Sequence, residues 1–300
     1  MSRSPVRSDV AVTGGALAVH TWEAPSKAPT VVAVHGVTSS HAAWAWLADA
    51  LPDVRVVAPD LRGRGRSSGL GGPYGMAAHT DDLAAVLRGL DDGPHLVVGH
   101  SMGAFVSLVL AHRHPDLVAE LVLVDGGLPL RAPEGIDPQD AMDATLGPAA
   151  DRLRATFADR AGYRDFWRDH PAFAGVEDER FDAYTDHDLE PTPDGRLRPA
   201  TAVEALHADQ VELVGGTSVR EALDALDPAA RPTTFVHAPR GLLDAEPLYT
   251  ADEVHRWSAE LPGVHVVWSL DTNHYTVVMS DRGATDLAEI LRPALEGALR

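Results

Sequence analysis

Cysteine is absent from the 300 residues of this chain. That absence excludes disulfide bonds, thiolate metal sites, iron–sulfur clusters and cysteine nucleophiles. Positive charge is scarce as well, because 25 Lys and Arg residues stand against 44 Asp and Glu residues, for a formal net charge of −19. A chain with this charge repels phosphate backbones and anionic bilayers, so we expect neither a nucleic acid nor a membrane as its partner.

Long apolar runs are also missing, since no uninterrupted stretch approaches the roughly 18 residues of a membrane span. At the amino terminus Arg3 and Arg7 precede an apolar stretch, which superficially imitates a secretory signal. Asp9 and the Thr13-Gly14-Gly15 segment interrupt this stretch, and apolar residues alternate on both sides of the glycines. This pattern favours a β-hairpin. We therefore expect a cytoplasmic protein.

The residues that are present, 45% hydrophobic and 23% charged, are typical of a globular chain. Apolar strand-like runs alternate with helix-like segments, which predicts an α/β fold with a mostly parallel central sheet flanked by helices. The alternation lapses from Leu128 to Leu226, where acidic, aromatic-rich helical segments replace the strands. We therefore predict a core domain of residues 1–127 and 227–300 with an inserted helical cap over residues 128–226.

Residues 99–103, Gly-His-Ser-Met-Gly, match G-x-S-x-G between an apolar strand and an apolar helix. A serine in such a strand-to-helix turn is strained, and the flanking glycines remove Cβ atoms that would clash there. The alternative is a chance match in which Ser101 only caps a helix. The strand and helix around the motif favour Ser101 as an exposed nucleophile.

A serine hydroxyl is a poor nucleophile without a base, and the base needs a third group to orient it. His274 follows the last predicted strand, and the carboxyl ends of parallel strands gather at one edge, so we expect His274 to be the base. Two carboxylates compete for the third position. Asp244 lies 30 residues before His274, close to the separation expected for an acid one strand earlier. This spacing favours Asp244, with Asp125 as the alternative acid.

Acyl transfer also needs donors for the oxyanion, which are usually two backbone amides. One is expected from Met102, the residue after the nucleophile, at the positive end of a helix dipole. The other is expected from Val37, in the loop that follows a predicted strand. His35 in the same loop is predicted to orient the loop and not to act as a second base.

These segments together resemble the α/β-hydrolases, and within them the capped, epoxide-hydrolase-like and haloperoxidase-like subgroup. The matching segments are 35–37 (His-Gly-Val), 60–67 (Asp-Leu-Arg-Gly-Arg-Gly-Arg-Ser), 99–103 and 273–274 (Asn-His). The resemblance implies that Ser101, His274 and an acid form a catalytic triad, that no cofactor is used, and that the insertion is the family's cap.

The chain departs from the subgroup's pattern in two ways. Capped epoxide hydrolases and haloalkane dehalogenases carry an aspartate nucleophile, so Ser101 argues against both activities. The family's acid commonly follows a glycine at the end of its strand, whereas Asp244 comes three residues after Gly241. That difference keeps Asp125 open as the acid.

Several functions are compatible with these residues. The favoured one is a serine hydrolase that cleaves an ester, thioester, lactone or activated C–C bond. The alternative is a non-hydrolytic lyase, isomerase or cyclase of the same fold, and a binding protein without chemistry is disfavoured because all parts of the triad are present. A dinucleotide site at residues 63–65 is not expected, because a loop follows where a helix should open. No metal site is expected either, since His112 and His114 do not share a helical face.

Aromatic residues concentrate in the predicted cap, where residues 157–184 hold seven of the seventeen in the chain. Tyr163, Phe166 and Trp167 would share one helical face. Most of the seven are expected in the cap's own core, and the others are predicted to line a largely apolar pocket above the nucleophile. The expected substrate contacts are His35, Gly36, Trp44, Trp46, Trp167 and Tyr275. We therefore expect a hydrophobic small-molecule substrate and a protein that is a monomer or a homodimer.

Overall fold

The computed structural model describes residues 2–90, 93–130, 135 and 137–298. Its strands are β1 (Val6–Val12), β2 (Gly15–Trp22), β3 (Thr30–Val34), β4 (Arg55–Pro59), β5 (His95–His100), β6 (Val118–Val124), β7 (Leu189–Pro191), β8 (Leu197–Pro199), β9 (Thr233–His237) and β10 (His265–Trp268). Its α-helices are α1 (Ala45–Ala50), α2 (Met76–Arg88), α3 (Met102–Arg113), α4 (Pro138–Arg154), α5 (Arg160–Arg168), α6 (Glu179–His187), α7 (Val203–Leu213), α8 (Thr217–Asp224), α9 (Ala251–Glu260) and α10 (Asp281–Ala298). Among the described residues, no helix combines the length and the apolar character that crossing a membrane requires.

Eight strands form one sheet in the order β1-β2-β4-β3-β5-β6-β9-β10. The predicted hairpin at the amino terminus is confirmed, with Val12 of β1 opposite Gly15 of β2. The β2–β4 pair is antiparallel, and the pairs from β4 through β10 are parallel. The structure thus confirms the mostly parallel central sheet.

The sheet is buried on both faces, and consecutive residues of β3 show why. Val32 and Val34 pack in a cluster with side chains of α2, α3 and α8, whereas Val31 and Ala33 pack in a second cluster with α1 and α10. Side chains alternate between the two faces of a strand, so a continuous apolar run supplies both clusters. Because both faces of the sheet are buried, the sequences of the parallel strands are uninterrupted runs of small and branched apolar residues.

The segment between β6 and β9 is mainly helical and contains α4 to α8. It also contains the short antiparallel pair β7–β8, which the sequence did not predict because each strand has three residues and ends in a proline. α8 packs against α3 of the sheet layer, although it lies within the predicted insertion. The division into residues 1–127 with 227–300 and residues 128–226 stays a prediction.

The carboxyl ends of the parallel strands meet at one edge of the sheet. Gly36 follows β3, Ser101 follows β5, Asp125 follows β6 and His274 lies beyond β10. Because β5, β6, β9 and β10 are neighbours, residues far apart in sequence are brought to one place. This edge holds the candidate site.

Candidate active site

Ser101 lies in the turn between β5 and α3 with a backbone φ of 55° and ψ of −124°. Its amide donates to the carbonyl oxygen of Val124, at 2.9 Å, which ties the turn to the end of β6. A Cβ atom at Gly99 would lie 2.3 Å from the Gly103 oxygen, and one at Gly103 would lie 2.1 Å from the Val34 oxygen. Both glycines are therefore required by close backbone approach, as the motif predicted. The Ser101 side chain lines a cavity above the sheet.

His274 and Asp125 form a buried pair at the same edge. The Nδ1 atom of His274 lies 2.7 Å from Oδ2 of Asp125, and both side chains are almost completely inaccessible to solvent. The other carboxylate oxygen of Asp125 accepts a hydrogen bond of 3.2 Å from the Ala238 amide. Asp125 accepts from His274 and holds the imidazole in a fixed orientation. His274 also lines the cavity that Ser101 lines.

The expectation that Asp244 is the acid is not met by this geometry. Its Oδ1 atom accepts from Arg240 Nε at 2.7 Å and from Asn273 Nδ2 at 3.0 Å, and its side chain is 39% exposed. Asp244 lies seven residues beyond the end of β9, whereas Asp125 directly follows β6. The loop after β10 passes beside the β9 loop, with a bridge between Arg240 and Asn273, and brings His274 to the end of β6. Asp125, the alternative acid, therefore occupies the position next to the imidazole.

His100 is a site residue that the sequence analysis did not single out. Its Nε2 atom lies 2.7 Å from the carbonyl oxygen of His274, and the two ring centroids are 4.7 Å apart. Burial, and after it the proximity of His274, hold the pKa of His100 well below its usual value. A neutral His100 donates this hydrogen bond and fixes the backbone of His274. Only its position inside the G-x-S-x-G motif could have indicated this role.

A buried arginine holds the predicted oxyanion loop in place. Val37 lines the cavity, and its carbonyl oxygen accepts from Arg64 Nε at 2.9 Å. The same guanidinium pairs with Asp209 on α7, at 2.5 Å, and both side chains are fully buried. Met102 is the first residue of α3, and amides in the first turn of a helix have no acceptor within the helix. Met102 directly follows Ser101, and a Cβ atom at Gly36, the residue before Val37, would lie 3.2 Å from the Ser101 Cβ. The donor role of the Val37 and Met102 amides stays a prediction.

Three of the predicted substrate contacts are wrong. His35, Trp44 and Trp46 are buried and are not among the described residues that line the cavity. His35 instead links two loops, because its Nε2 accepts from the Leu61 amide at 2.9 Å and its Nδ1 donates to the Gly36 oxygen at 2.8 Å. Burial lowers the pKa of His35 to about 3, so it stays neutral, in agreement with its predicted orienting role.

The two tryptophans pack in the apolar core and not in the cavity. Trp44 and Trp46 lie in the cluster on the α1 and α10 face of the sheet. The indole nitrogen of Trp46 donates to Asp178, the residue that caps α6, at 3.1 Å. Sequence proximity to the Val37 loop therefore did not place these rings in the cavity.

The cavity encloses about 690 Å³ between the sheet edge and the inserted helices. Gly36, Trp167 and Tyr275 line it, as predicted. Of the seven aromatic residues in 157–184, Phe166, Trp167 and Tyr184 reach the cavity and the remaining four are packed elsewhere. The other apolar residues that line the cavity are Leu130, Ala144, Leu146, Pro148, Ala149, Leu213, Val214, Leu242, Leu243, Ala245, Pro247, Leu248 and Met279. The wall is therefore largely apolar and partly aromatic.

One charged side chain in this wall is already neutralised. Arg152 on α4 pairs with Asp188, at 2.5 Å, and also donates to the Tyr163 hydroxyl. Its remaining guanidinium nitrogen donates to the Thr38 carbonyl oxygen at 3.2 Å, and the group lies 5.0 Å from the centre of the Trp167 ring. Arg152 thus connects α4 to the loop of Val37 and leaves no unpaired positive charge on that part of the wall.

Comparisons with known proteins agree with this architecture. A family model described as the alpha/beta hydrolase fold matches residues 29–180. Lipase LipV of Mycobacterium tuberculosis (strain ATCC 25618 / H37Rv) is 35% identical over 233 residues, which is 77% of this chain and 80% of LipV.

Solved structures extend the likeness over nearly the whole chain. The thioesterase domain from the curacin biosynthetic pathway has a TM-score of 0.75 at 24% identity, covering 97% of this chain and 100% of that domain. E-2-(acetamidomethylene)succinate hydrolase also has a TM-score of 0.75 at 24% identity, covering 98% and 99%. At this identity the likeness concerns the fold. Together with the family match and the relationship to LipV, it establishes that this chain belongs to the α/β-hydrolase family and is an α/β-hydrolase enzyme.

Proposed function

We propose that the protein is a serine hydrolase that cleaves esters of hydrophobic acids through an acyl-enzyme on Ser101. Thioesters, lactones and activated C–C bonds are the related substrates that the same chemistry would accept. The observation that carries the proposal is the 2.7 Å hydrogen bond that His274 donates to buried Asp125 at the cavity lined by Ser101. The relationship to LipV, which is named a lipase, supports ester cleavage.

The first half of the reaction follows from the orientation of the imidazole. Because Nδ1 of His274 donates to Asp125, Nε2 is left to accept the proton of Ser101. The serine oxygen then bonds to the substrate's carbonyl carbon, and the amides of Val37 and Met102 donate to the oxyanion that forms. The tetrahedral intermediate collapses with cleavage of the ester C–O bond, and His274 returns its proton to the leaving alcohol.

The second half repeats these steps with water. His274 takes a proton from the water molecule as the water oxygen bonds to the acyl carbon, and the same amides stabilise the second oxyanion. Collapse releases the acid and returns the proton to Ser101. His100 and Arg64 act as positioning residues, since the first holds the His274 backbone and the second holds the Val37 loop.

The cavity supports a neutral, hydrophobic acyl group as the part of the substrate that is recognised. A volume of about 690 Å³ lies within the range of small-molecule sites, and its wall is largely apolar. Arg152 is already paired with Asp188, so it has no free charge with which to bind a carboxylate. We therefore propose esters with medium-length or ring-bearing acyl groups as substrates.

An alkyl fluorophosphonate tests the nucleophile directly. We expect covalent labelling of the wild-type protein, loss of labelling in Ser101→Ala, and loss of most labelling and turnover in His274→Ala. Ser39→Ala is the matched control, because Ser39 also lines the cavity and its removal should leave labelling intact.

Two outcomes would contradict the proposal in different ways. Labelling that persists in Ser101→Ala would assign the nucleophile to another residue. Labelling at Ser101 in a protein that hydrolyses neither p-nitrophenyl esters of graded acyl size nor acyl thioesters would instead favour a non-hydrolytic lyase, isomerase or cyclase.

A further inference from the structure

Four potential metal ligands converge at a site that the proposed reaction does not use. His20 lies on β2, His41 starts the short 3-10 helix His41–Trp44, Asp60 follows β4, and His187 ends α6. One ligand atom from each lies within 4.8 Å of the others. None of the four is among the described residues that line the cavity. We refer to these four residues as the three-histidine cluster.

The carboxylate of Asp60 is the centre of the cluster. Its Oδ1 atom lies 2.9 Å from Nδ1 of His41, and its Oδ2 atom lies 2.8 Å from Nε2 of His187. The backbone amides of His41 and Arg66 each donate to it at 2.8 Å. Asp60 is completely buried. Such outer hydrogen bonds are what fixes a carboxylate that coordinates a metal ion.

His20 provides the observation that points to a missing ligand. Its Nε2 atom is buried and has no hydrogen-bond partner among the described residues, and it faces Asp60 Oδ2 across 3.5 Å. The His20 ring is stacked on the His41 ring, with centroids 3.4 Å apart and an interplanar angle of 2°. The nitrogen is therefore held toward the carboxylate with only this long contact, at the outer limit of hydrogen-bond length. A buried nitrogen with only a long contact is poorly satisfied, and a cation at this point would satisfy it.

The donor set selects the class of ion. Three imidazole nitrogens and one carboxylate suit zinc and other divalent transition metals, whereas calcium and magnesium prefer oxygen donors. Donors about 2.1 Å from a tetrahedral zinc ion lie about 3.4 Å from one another. The four candidate ligand atoms lie within 4.8 Å of one another, which is near enough for small side-chain movements to bring them to that spacing around one ion. We propose that the three-histidine cluster binds one divalent transition metal ion, with Zn²⁺ as the best-fitting probe.

The position of the cluster gives such an ion a structural consequence. His20, His41 and Asp60 belong to the sheet domain, whereas His187 ends a helix of the predicted cap. Tyr184, three residues before His187 on α6, lines the cavity, and so do the loop residues Thr38 and Ser39 just before His41. An ion bound at the cluster connects α6 to the loop of Val37 and stabilises the packing of α6 against the sheet.

The test uses the full-length protein, purified without a polyhistidine tag and stripped with a chelator. We expect isothermal titration with ZnCl₂ to show one site per chain and elemental analysis after dialysis to recover about one Zn²⁺. The melting temperature should rise with Zn²⁺ and stay unchanged with Mg²⁺, because only the bound native state is stabilised. Co²⁺ should give the visible absorption of a tetrahedral nitrogen and oxygen site.

Substitutions locate the site. His20→Phe keeps a ring for stacking and removes a ligand, and His187→Gln alters the one ligand from the predicted cap. Each should weaken Zn²⁺ binding by at least about 100-fold, more than an outer-shell partner usually contributes. His112→Gln is the matched control, because His112 is an exposed histidine on α3, and it should leave binding unchanged.

The outcomes separate the alternatives. Absence of Zn²⁺ binding to the wild-type protein would overturn the proposal and leave the cluster as a hydrogen-bonded contact between cap and sheet. Binding that survives both ligand substitutions would show an adventitious surface site and would also overturn it. If His20→Phe does not fold, His187→Gln alone decides, since that side chain lies near the surface at the end of a helix.

Discussion

The ends of two neighbouring strands, β6 and β9, offer the same chemical group in opposite surroundings. Asp125 follows β6 with a φ of 44°, and Asp244 lies in the loop after β9 with a φ of 57°. Asp125 is completely buried and bonds to His274, whereas Asp244 is 39% exposed and bonds to Arg240 and Asn273. The difference shows that direct attachment to the strand end, and not the separation along the chain, decides which carboxylate meets the imidazole.

Burial also changes what each carboxylate can do. An ion pair removed from water interacts strongly, and removing one partner leaves an uncompensated group. An exposed pair is screened by solvent and typically contributes less than about 1 kcal/mol. Asp125 is therefore expected to fix the orientation and tautomer of the His274 imidazole, and Asp244 to support the loop that carries it.

The largest expected effect is that of Asp125→Asn. The amide would donate to Nδ1 of His274 and leave the proton on Nε2, so the imidazole could not accept the proton of Ser101. We expect kcat to fall by about 10⁴-fold, the magnitude typical of such a tautomer error. Steady-state kinetics on a p-nitrophenyl ester measure this loss.

Folding must be checked in the same variant, because Asp125 also accepts from the Ala238 amide. The carboxamide oxygen of the substituted side chain can still accept that hydrogen bond, so circular dichroism and the melting temperature should change little. A folded Asp125→Asn protein with more than a tenth of the wild-type kcat would exclude Asp125 as the acid.

Much of the fold could be predicted because its signals are local. The apolar runs of β3, β5 and β6 and the glycines around Ser101 each indicate one element from a few consecutive residues. The sequence was less informative about β7 and β8, whose three residues are too few to show alternation. Pairing at the sheet edge depends on loop paths that no local pattern records.

The site shows the same limit. Ser101 and His274 follow from their places at strand ends, but the number of residues between acid and base favoured Asp244, because residue spacing does not record the path of a loop. Trp44 and Trp46 lie close to Val37 in sequence, which favoured them as cavity residues, but the fold packs them in the apolar cluster that includes α1 and α10. The three-histidine cluster was missed because its four residues, at positions 20, 41, 60 and 187, share no spacing pattern.

A second, smaller effect on kcat/KM is expected from a substitution in the segment between β6 and β9. Trp167 lines the cavity, so Trp167→Ala should remove contact with large acyl groups and leave acetyl esters nearly unaffected. We expect kcat/KM to fall by about 5- to 30-fold for octanoyl or benzoyl esters, which corresponds to about 1–2 kcal/mol of lost apolar contact. A panel of p-nitrophenyl esters of graded acyl size measures this change.

Phe181→Ala is the control for the panel. Phe181 is buried in the same aromatic cluster, 6.5 Å from Trp167 between ring centroids, and is not among the described residues that line the cavity. Both variants should lower the melting temperature, since each leaves a void in a packed cluster. A preference for large acyl groups that survives Trp167→Ala, or that is lost equally in Phe181→Ala, would show that Trp167 acts only through the stability of the cap.

The smallest expected effect is that of Asp244→Asn, because the amide keeps an acceptor for Asn273 and loses only an exposed charge. We expect kcat to stay within about threefold of wild type and the melting temperature at pH 7 to fall by no more than about 2 °C.

The hydrogen bond from Asn273, and after it the one from Arg240, hold the pKa of Asp244 below its usual value. The ionised form therefore stabilises the fold at pH values above the ordinary aspartate pKa of about 3.9, and this contribution is lost as the pH falls below it. The difference in melting temperature between Asp244→Asn and wild type should accordingly shrink from pH 7 to pH 3, and Arg240→Gln should show the same trend because it removes the other half of the pair. A hundredfold loss of kcat in Asp244→Asn with an unchanged melting temperature would reverse the comparison of the two strand ends, since it would place the functional carboxylate after β9.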